Sequence, residues 1–581
     1  MDRIKIFQII AIIVAILIIL RLFYWQFIAK IASGPADYLS ESEIPASRGE
    51  IYASDNFPLV TNQEAFLIYG KPNELRKNPQ EIAKLLAPYL ISEKYATAAA
   101  QLAREDQEAK DGEVRKKEEE LAAKLSNKKL YWVQLARKVP LEVKGKIEKI
   151  GISGLGFESD EKRFYPEASM AAQLLGFVGF DKFGRDTGYF GLEGFWDRKL
   201  RGKTGRLGQE QDPYGLPILV GRYRRIPPQK GASLYLSLDR TVQFIVEEKL
   251  RLAVEKYGAK EGTVIVANPK NGQILAMATY PTYNSALRLE YDEKLYKNPA
   301  VADTFEPGSV FKIVAMSAVL DLSLLEPRDQ CPVCVGPRQI GGFEISTWNK
   351  KYYPNSTMTE IIEHSDNVGM TYVAEKLGID RLYDYIAKFG FGKLTGIDLQ
   401  EETPGNLREK EEWRPIDLAT ASFGQGIALT PIQMIQAVGA IANGGKLISP
   451  QVVVKIKEGN DEEENRPQER QVISAKTASQ ITEMMVNAVE RGEARVFAPK
   501  GYRIAGKTGT AQIPIAGHYD PEKTIASFVG FAPANGPKFV MLVRFTEPSS
   551  SPFGSETAAP TFFEISKELF NYWGISPASK K

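Results

Sequence analysis

The strongest constraint on the fold of this chain is where its strand-like segments fall. Gly262–Asn268 and Gln273–Thr279 are apolar, β-branched runs joined around Asn271-Gly272, a strong hairpin signal. The next such runs, Tyr502–Ile513, Ile525–Phe531 and Lys538–Phe545, lie more than 200 residues later, with Asn535-Gly536-Pro537 as a turn. Between them, residues 305–447 carry helical patterns, and a final helix is expected over 561–572. One sheet must therefore draw on both ends of this region, with a helical lobe packed against it: an α+β domain. A site between the lobes follows as the default expectation.

The N-terminus sets the compartment. Ile6–Leu20 has no charge, and the apolar stretch reaches Ile28, enough to cross a bilayer at about 20 residues. Arg21 and Gln26 can snorkel, Tyr24 and Trp25 suit the interfacial belt, and Arg3 and Lys5 favour a cytoplasmic N-terminus. The alternative is a cleaved signal peptide with Ile31-Ala32-Ser33-Gly34 at its end, but the stretch outruns an h-region of about 7–15 residues. We divide the 581 residues into a tail and anchor (1–29), a polar linker (30–44), a mixed α/β region (45–232), the α+β domain (233–575) and a short tail (576–581). Within the mixed region, residues 93–129 are mostly Ala, Glu, Lys, Arg and Gln. Glu113/Lys117 and Glu120/Lys124 stand at i,i+4 spacing, and Gly112 is expected to break the run in two. It reads as a solvated helical hairpin, with a partner-binding arm as the other reading.

Composition narrows the chemistry. With 74 basic and 72 acidic side chains there is no bulk field for nucleic acid, and two histidines far apart leave no basis for a His-rich metal site. Catalysis must run on hydroxyls, carboxylates, lysines and backbone amides. Cys331-Pro332-Val333-Cys334 lacks a second ligand pair for zinc and a thioredoxin-like βαβ context. A local disulfide and a retained thiol pair both remain open for it.

Three short strings each occur more than once. Ser54-Asp55-Asn56, Ser126–Lys129 and Lys203-Thr204-Gly205 match S-D-N, S-x-x-K and K-T-G in the wrong order, and we read them as coincidences. Ser309–Lys312, Ser365-Asp366-Asn367 and Lys507-Thr508-Gly509 stand in the expected order. Ser309 opens a segment, Ser309–Leu322, apolar on almost every face, hence a buried helix. At i,i+3 the Lys312 amine can reach the Ser309 hydroxyl, and a lysine in apolar surroundings becomes a usable base. Ser365 and Asn367 suit a proton relay and an amide-orienting contact, or Ser365-Asp366-Asn367 is simply an N-cap. Lys507 lies on a strand where Gly506 and Gly509 leave bare backbone for an extended substrate, with Thr508 and Thr510 adding hydroxyls.

Phe305-Glu306-Pro307-Gly308-Ser309-Val310-Phe311-Lys312, Ser365-x-Asn367 and Lys507-Thr508-Gly509-Thr510-Ala511-Gln512 resemble the active-site motifs of class B penicillin-binding proteins. Arg48-Gly49-Glu50-Ile51, Arg163-Phe164-Tyr165-Pro166 and Gly191-Leu192-Glu193 resemble the family's pedestal motifs. Gly424-Gln425-Gly426-Ile427, Thr430-Pro431 and Ala558-Ala559-Pro560 resemble later landmarks. The likeness spans nearly the whole chain except residues 93–129, which read as an insertion. It implies that 45–232 is a dimerisation-like pedestal and 233–575 a transpeptidase domain. It also implies a peptidoglycan D,D-transpeptidase: Ser309 attacks the carbonyl between two D-alanines, Lys312 takes its proton, and Ser365 with Lys507 protonates the departing D-alanine. Asn367 orients the substrate, Thr508 and Gly509 help bind it, and amides of Ser309 and Thr510 form the oxyanion hole. β-Lactams would acylate Ser309, and no cofactor or metal is required. The expected setting is the cytoplasmic membrane, single-pass, with the catalytic domain outside.

Rivals remain. A β-lactamase would need a hydrolytic base, commonly in an E-x-x-L-N loop, and no such string occurs between Asn367 and Lys507. A D,D-carboxypeptidase would differ only in its acceptor, and a β-lactam receptor or scaffold would not need the intact site. No glycosyltransferase motif precedes residue 233. The strings Ala302–Ser309 and Ser527–Pro533 look more division-type than elongation-type, which by analogy implies a SEDS-family glycosyltransferase as membrane partner.

Overall fold

The computed structural model describes residues 3–28, 39–96, 106–210, 218, 223–515 and 518–577. They fall into two compact units, Met1–Ser47 with Gly202–Lys230, and Arg48–Arg201 with Gly231–Lys581.

In the first unit the α-helix Arg3–Phe23 continues as a π-helical turn, Tyr24–Ile28. Its apolar stretch Ile6–Gln26 is 21 residues long, enough to span a bilayer, and its aliphatic side chains are exposed, as a lipid-facing helix requires. The same unit holds an antiparallel sheet in which Gly205–Glu210 lies between Leu39–Ile44 and Tyr223–Ile226. The segment read as a polar linker thus ends in a strand. Its partner lies about 160 residues on, with Glu43 opposite Arg206, a pairing that local composition does not carry. The rest of that linker, 30–38, and the end of the C-terminal tail, 578–581, lie outside the described residues.

In the second unit, a six-stranded sheet runs in the order Asp461–Glu464, Val453–Glu458, Ser233–Leu236, Ile51–Tyr52, Pro58–Gln63, Lys162–Phe164. Leu234 pairs in parallel with Ile51, so strands from either side of residues 232/233 share one sheet. A smaller sheet, with Ala65–Gly70 between Val133–Pro140 and Leu155–Ser159, carries the helices Pro79–Ala96 and Asp106–Ser126. Ile82, Leu86, Leu121 and Leu125 bury against Ile68 and Leu135, so the charged stretch is a helical hairpin docked by its few apolar residues. Glu120 pairs with both Lys117 (3.0 Å) and Lys124 (2.6 Å). Gly112 does not break the run: the helix passes through it, since one exposed glycine costs only about 1 kcal/mol. Residues 97–105, between the two helices, lie outside the described residues.

The five-stranded antiparallel sheet has the order Ile274–Tyr280, Glu261–Ala267, Phe539–Thr546, His518–Ala532, Ala505–Ile515. Alternate residues feed two cores. Val264, Val266, Met541 and Val543 pack with Phe528, Phe562 and Phe563 under the helices Arg240–Tyr257 and Ala558–Tyr572. Ile265, Ala267, Val540 and Leu542 face the other way, toward the helical lobe. Burial on both faces explains why these strands read as continuous apolar runs. Within the lobe, a 3₁₀ turn, Gly308–Phe311, leads into the α-helix Lys312–Asp321, whose residues Lys312 to Leu320 are all buried. Cys331 and Cys334 form a buried disulfide with Cα atoms 5.7 Å apart.

Candidate active site

Close backbone approach positions the Ser309 turn. Phe305 and Leu429 exchange backbone hydrogen bonds of 2.9 and 3.0 Å, and Gly308 N–H donates to Gly424 O at 3.0 Å. Gly308 has φ +55°, and a Cβ there would lie 2.9 Å from Thr510 O. Only glycine lets this turn lie directly on the strand Ala505–Ile515. Ser309 is thereby set, half-buried, beside Thr510 and Ala511.

Behind it lies a buried polar knot. Lys312 is fully buried and its amine donates to Ser365 O (2.5 Å) and Ser365 Oγ (3.2 Å). Lys507, also buried, donates to the same Ser365 Oγ at 3.0 Å, and to Thr508 O and Oγ1 at 3.2 Å each. Ser365 is held at φ +57°, a conformation that non-glycine residues adopt at a cost of about 1–3 kcal/mol and that clusters at functional sites. Among the described residues there is no hydrogen bond between Lys312 and Ser309; the amine rests on Ser365 instead. Burial, and then the charge of Lys507, push Lys312 well below the ordinary lysine range. Burial brings Lys507 down to about 8, with Glu493 pulling the other way.

The N-cap reading of the second motif also holds, for its middle residue. Asp366 Oδ1 accepts from Val368 and Gly369 N–H and opens the helix Asn367–Lys388. That cap fixes Asn367 at the first helical position, where its amide donates to Ser346 O at 3.2 Å. Lys507, Thr508, Gly509 and Thr510 lie on the edge strand, whose outer side pairs with no strand among the described residues. Gly554 N–H donates to Thr510 Oγ1 at 3.0 Å.

The bare-backbone reading of the glycines needs correction. A Cβ on Gly509 would meet Ser527 Oγ at 2.5 Å, Val310 Cγ1 at 2.9 Å and Pro307 O at 3.1 Å; one on Gly506 would strike the Phe528 ring. Both glycines are bare toward the protein interior, because a strand sends alternate residues to opposite faces. Gly509 seats the Ser309 turn on the strand; it is not a gap for substrate. The other set of strings stays dispersed, with Asn56 in a turn, Ser126 at the end of a helix and Gly205 in the first compact unit.

Sequence reasoning passed over Glu306, quoted only as part of a motif. Its carboxylate accepts from Gly426 N–H (3.1 Å) and from Tyr519 OH (3.1 and 3.2 Å). The partner Tyr519 lies 213 residues away, with no local signal.

A buried two-lysine, one-serine knot behind a half-buried serine, beside a strand edge that pairs with no strand among the described residues, is the arrangement a serine acyltransferase of the penicillin-binding type requires. Residues 262–567 match the penicillin-binding protein transpeptidase domain, and 43–236 the penicillin-binding protein dimerisation domain. Stage V sporulation protein D of Bacillus subtilis is 32% identical over 97% of this chain and 85% of its own length. The probable peptidoglycan D,D-transpeptidase PbpC of Pseudomonas aeruginosa is 31% identical over 97% and 92%. Penicillin-binding protein 3 of Mycobacterium tuberculosis, solved in complex with aztreonam, superposes with a TM-score of 0.69 at 25% identity, covering 93% of this chain and 98% of that one. The chain belongs to the penicillin-binding protein transpeptidase family, with a dimerisation domain ahead of the catalytic one.

Proposed function

We propose that the chain cross-links peptidoglycan stem peptides by serine acyl transfer, with Ser309 as nucleophile. The observation that carries this reading is the convergence of Lys312 and Lys507 on Ser365 behind Ser309. Unprotonated Lys312 takes the Ser309 proton, directly or through Ser365, as Oγ attacks the D-alanyl carbonyl. Amides of Ser309 and Thr510 hold the developing oxyanion. Ser365, recharged through Lys507, protonates the departing D-alanine, whose carboxylate meets Lys507 and Thr508. Asn367 orients the donor's amide, and Gly509 keeps the turn seated. An amine from a second stem peptide then takes the acyl group; β-lactams stop the sequence at the acyl-enzyme. Incubation with a fluorescent penicillin followed by peptide mapping should place the label on Ser309, and a label on any other residue would refute the assignment.

Residues 1–29 serve as tail and anchor, 45–232 as pedestal and 233–575 as transpeptidase domain, with the active site outside the cytoplasmic membrane. A SEDS-family glycosyltransferase in the same membrane is the partner this arrangement suits, since anchoring raises effective concentration without new contacts. The strings Ala302–Ser309 and Ser527–Pro533 support septal work. Likeness to a stage V sporulation protein favours a second reading, wall synthesis during sporulation. Depletion distinguishes them: filaments indicate division, normal vegetative division with defective spores indicates sporulation, and swollen cells that divide would assign the protein to elongation.

A further inference from the structure

Past Thr510 the edge strand continues through Ala511, Gln512 and Ile513, and beside it opens a cavity of about 430 Å³. Its place relative to the chemistry follows from the strand. The Ser309 turn touches the strand at Thr510 and Ala511, while the Ser365–Lys507 knot lies on the side of residues 507–508. A peptide lying along this edge with its scissile carbonyl at Ser309 sends its departing D-alanine toward Lys507. Its body must run the other way, past Gln512 and Ile513. Strand rise is about 3.3 Å per residue, so the donor's third residue, next before the acylated D-alanine, falls at the cavity.

The lining carries both signs of charge. Glu306 is fixed by Gly426 N–H and Tyr519 OH, and Arg408 by Asp417 at 2.6 Å. The two charges flank Gly426, whose amide holds Glu306 and whose added Cβ would lie 3.9 Å from Arg408 Nη2. Yet no ion pair joins them among the described residues. Each is tied to another partner, so the opposed charges stand apart around open space rather than neutralising one another. Ile427, Ile513 and Ile525 supply apolar wall for a hydrocarbon stem. Burial pushes the Glu306 carboxyl up, so an incoming cation would stabilise its charged form.

We propose that this cavity receives the side chain of the donor's third residue and selects a zwitterionic end, ammonium to Glu306 and carboxylate to Arg408. The substrate class is then a stem peptide built on a diamino-dicarboxylic acid rather than on lysine. This deepens, and rests on, the assignment of Ser309.

The test uses the full chain in detergent and synthetic peptides ending in D-alanyl-D-alanine, differing only at the third residue: meso-diaminopimelate, its side-chain amide, or lysine. Release of D-alanine should favour diaminopimelate over both others by about tenfold or more in kcat/KM, the scale of one charge-assisted hydrogen bond. Arg408→Gln should bring that preference to within about threefold, and Arg408→Lys should keep most of it. Glu306→Gln should raise KM for every donor, since all carry the ammonium. Equal use of the three peptides, preference for lysine or the amide, or an Arg408→Gln enzyme that discriminates as before would each overturn the proposal. A wild-type chain that benzylpenicillin does not acylate at Ser309 would instead overturn the catalytic reading beneath it.

Discussion

The dimerisation domain, our proposed pedestal, and the candidate active site both bury charge, with opposite results. In the pedestal Arg48 bonds Glu193 (2.6 Å) and Asp197 (2.8 Å), and Arg163 takes the other Glu193 oxygen at 2.7 Å. Burial works against every one of these charges, but pairing wins: Glu193 is held below the usual carboxylate range and Arg48 above its own. At the candidate active site Lys312 and Lys507 are as deeply buried, yet their hydrogen bonds go to hydroxyls and carbonyls, and among the described residues no carboxylate hydrogen-bonds either amine. Burial wins there, and both amines are pushed down. A buried charge with a partner is a strut. One without gives up its proton more readily, as the base we propose must.

The largest effect should come from deleting what the lysines serve. Ser309→Ala removes one half-buried hydroxyl, so covalent penicillin labelling should vanish while the thermal midpoint stays within experimental error. Persistent labelling at another serine would end the assignment.

Next, the two regions should separate stability from activity. Lys312→Met should slow acylation by about 10²–10⁴, the scale of losing a general base. It should cost the fold little, because the amine has no carboxylate partner among the described residues and its two hydrogen bonds to Ser365 are exchanged for an apolar chain of similar length. Glu193→Gln should do the reverse, costing about 3–5 kcal/mol by leaving Arg163 without its carboxylate and Arg48 with Asp197 alone. The penicillin-reactive fraction that remains folded should acylate at the wild-type rate. A destabilised Lys312→Met, or a fully stable Glu193→Gln, would break the comparison.

What was legible in the sequence follows the same division. The order of the three motifs, the buried helix after Ser309 and the apolar, β-branched strand runs all sit in local residue patterns, and the structure has them. The junctions are long-range. Lys312 meets a residue 53 positions on, and Lys507 one 142 positions back, so no spacing rule shows that both amines converge on one hydroxyl. The left-handed backbone at Ser365 is likewise set by what surrounds it. Gly509 was misjudged because the direction of an absent side chain depends on sheet register. The strand His518–Ala532 begins seven residues before its apolar core at Ile525, through mixed pairs such as Ile513 opposite Asp520 that carry no alternation.

The smallest effect concerns the proton on Lys507, and it sharpens the contrast most directly. If this amine titrates near 8 in the folded protein, it is still a cation at neutral pH but loses its charge within a measurable range. A substrate carboxylate meeting Lys507 needs that cation. Acylation by benzylpenicillin should therefore decline as pH rises through about 8, and a β-lactam methyl ester, lacking the carboxylate, should show no such limb. Stability should move the opposite way. The folded value lies below the roughly 10.4 of an unfolded lysine, so between the two the unfolded chain binds more protons and the fold gains stability with rising pH. Glu193, held below the carboxylate range, and Arg48, held above its own, keep their charges through this window and contribute nothing to either trend. A descending limb shared by acid and ester, or stability that falls between pH 8 and 10, would show that Lys507 is compensated after all and that the site resembles the pedestal more than it differs.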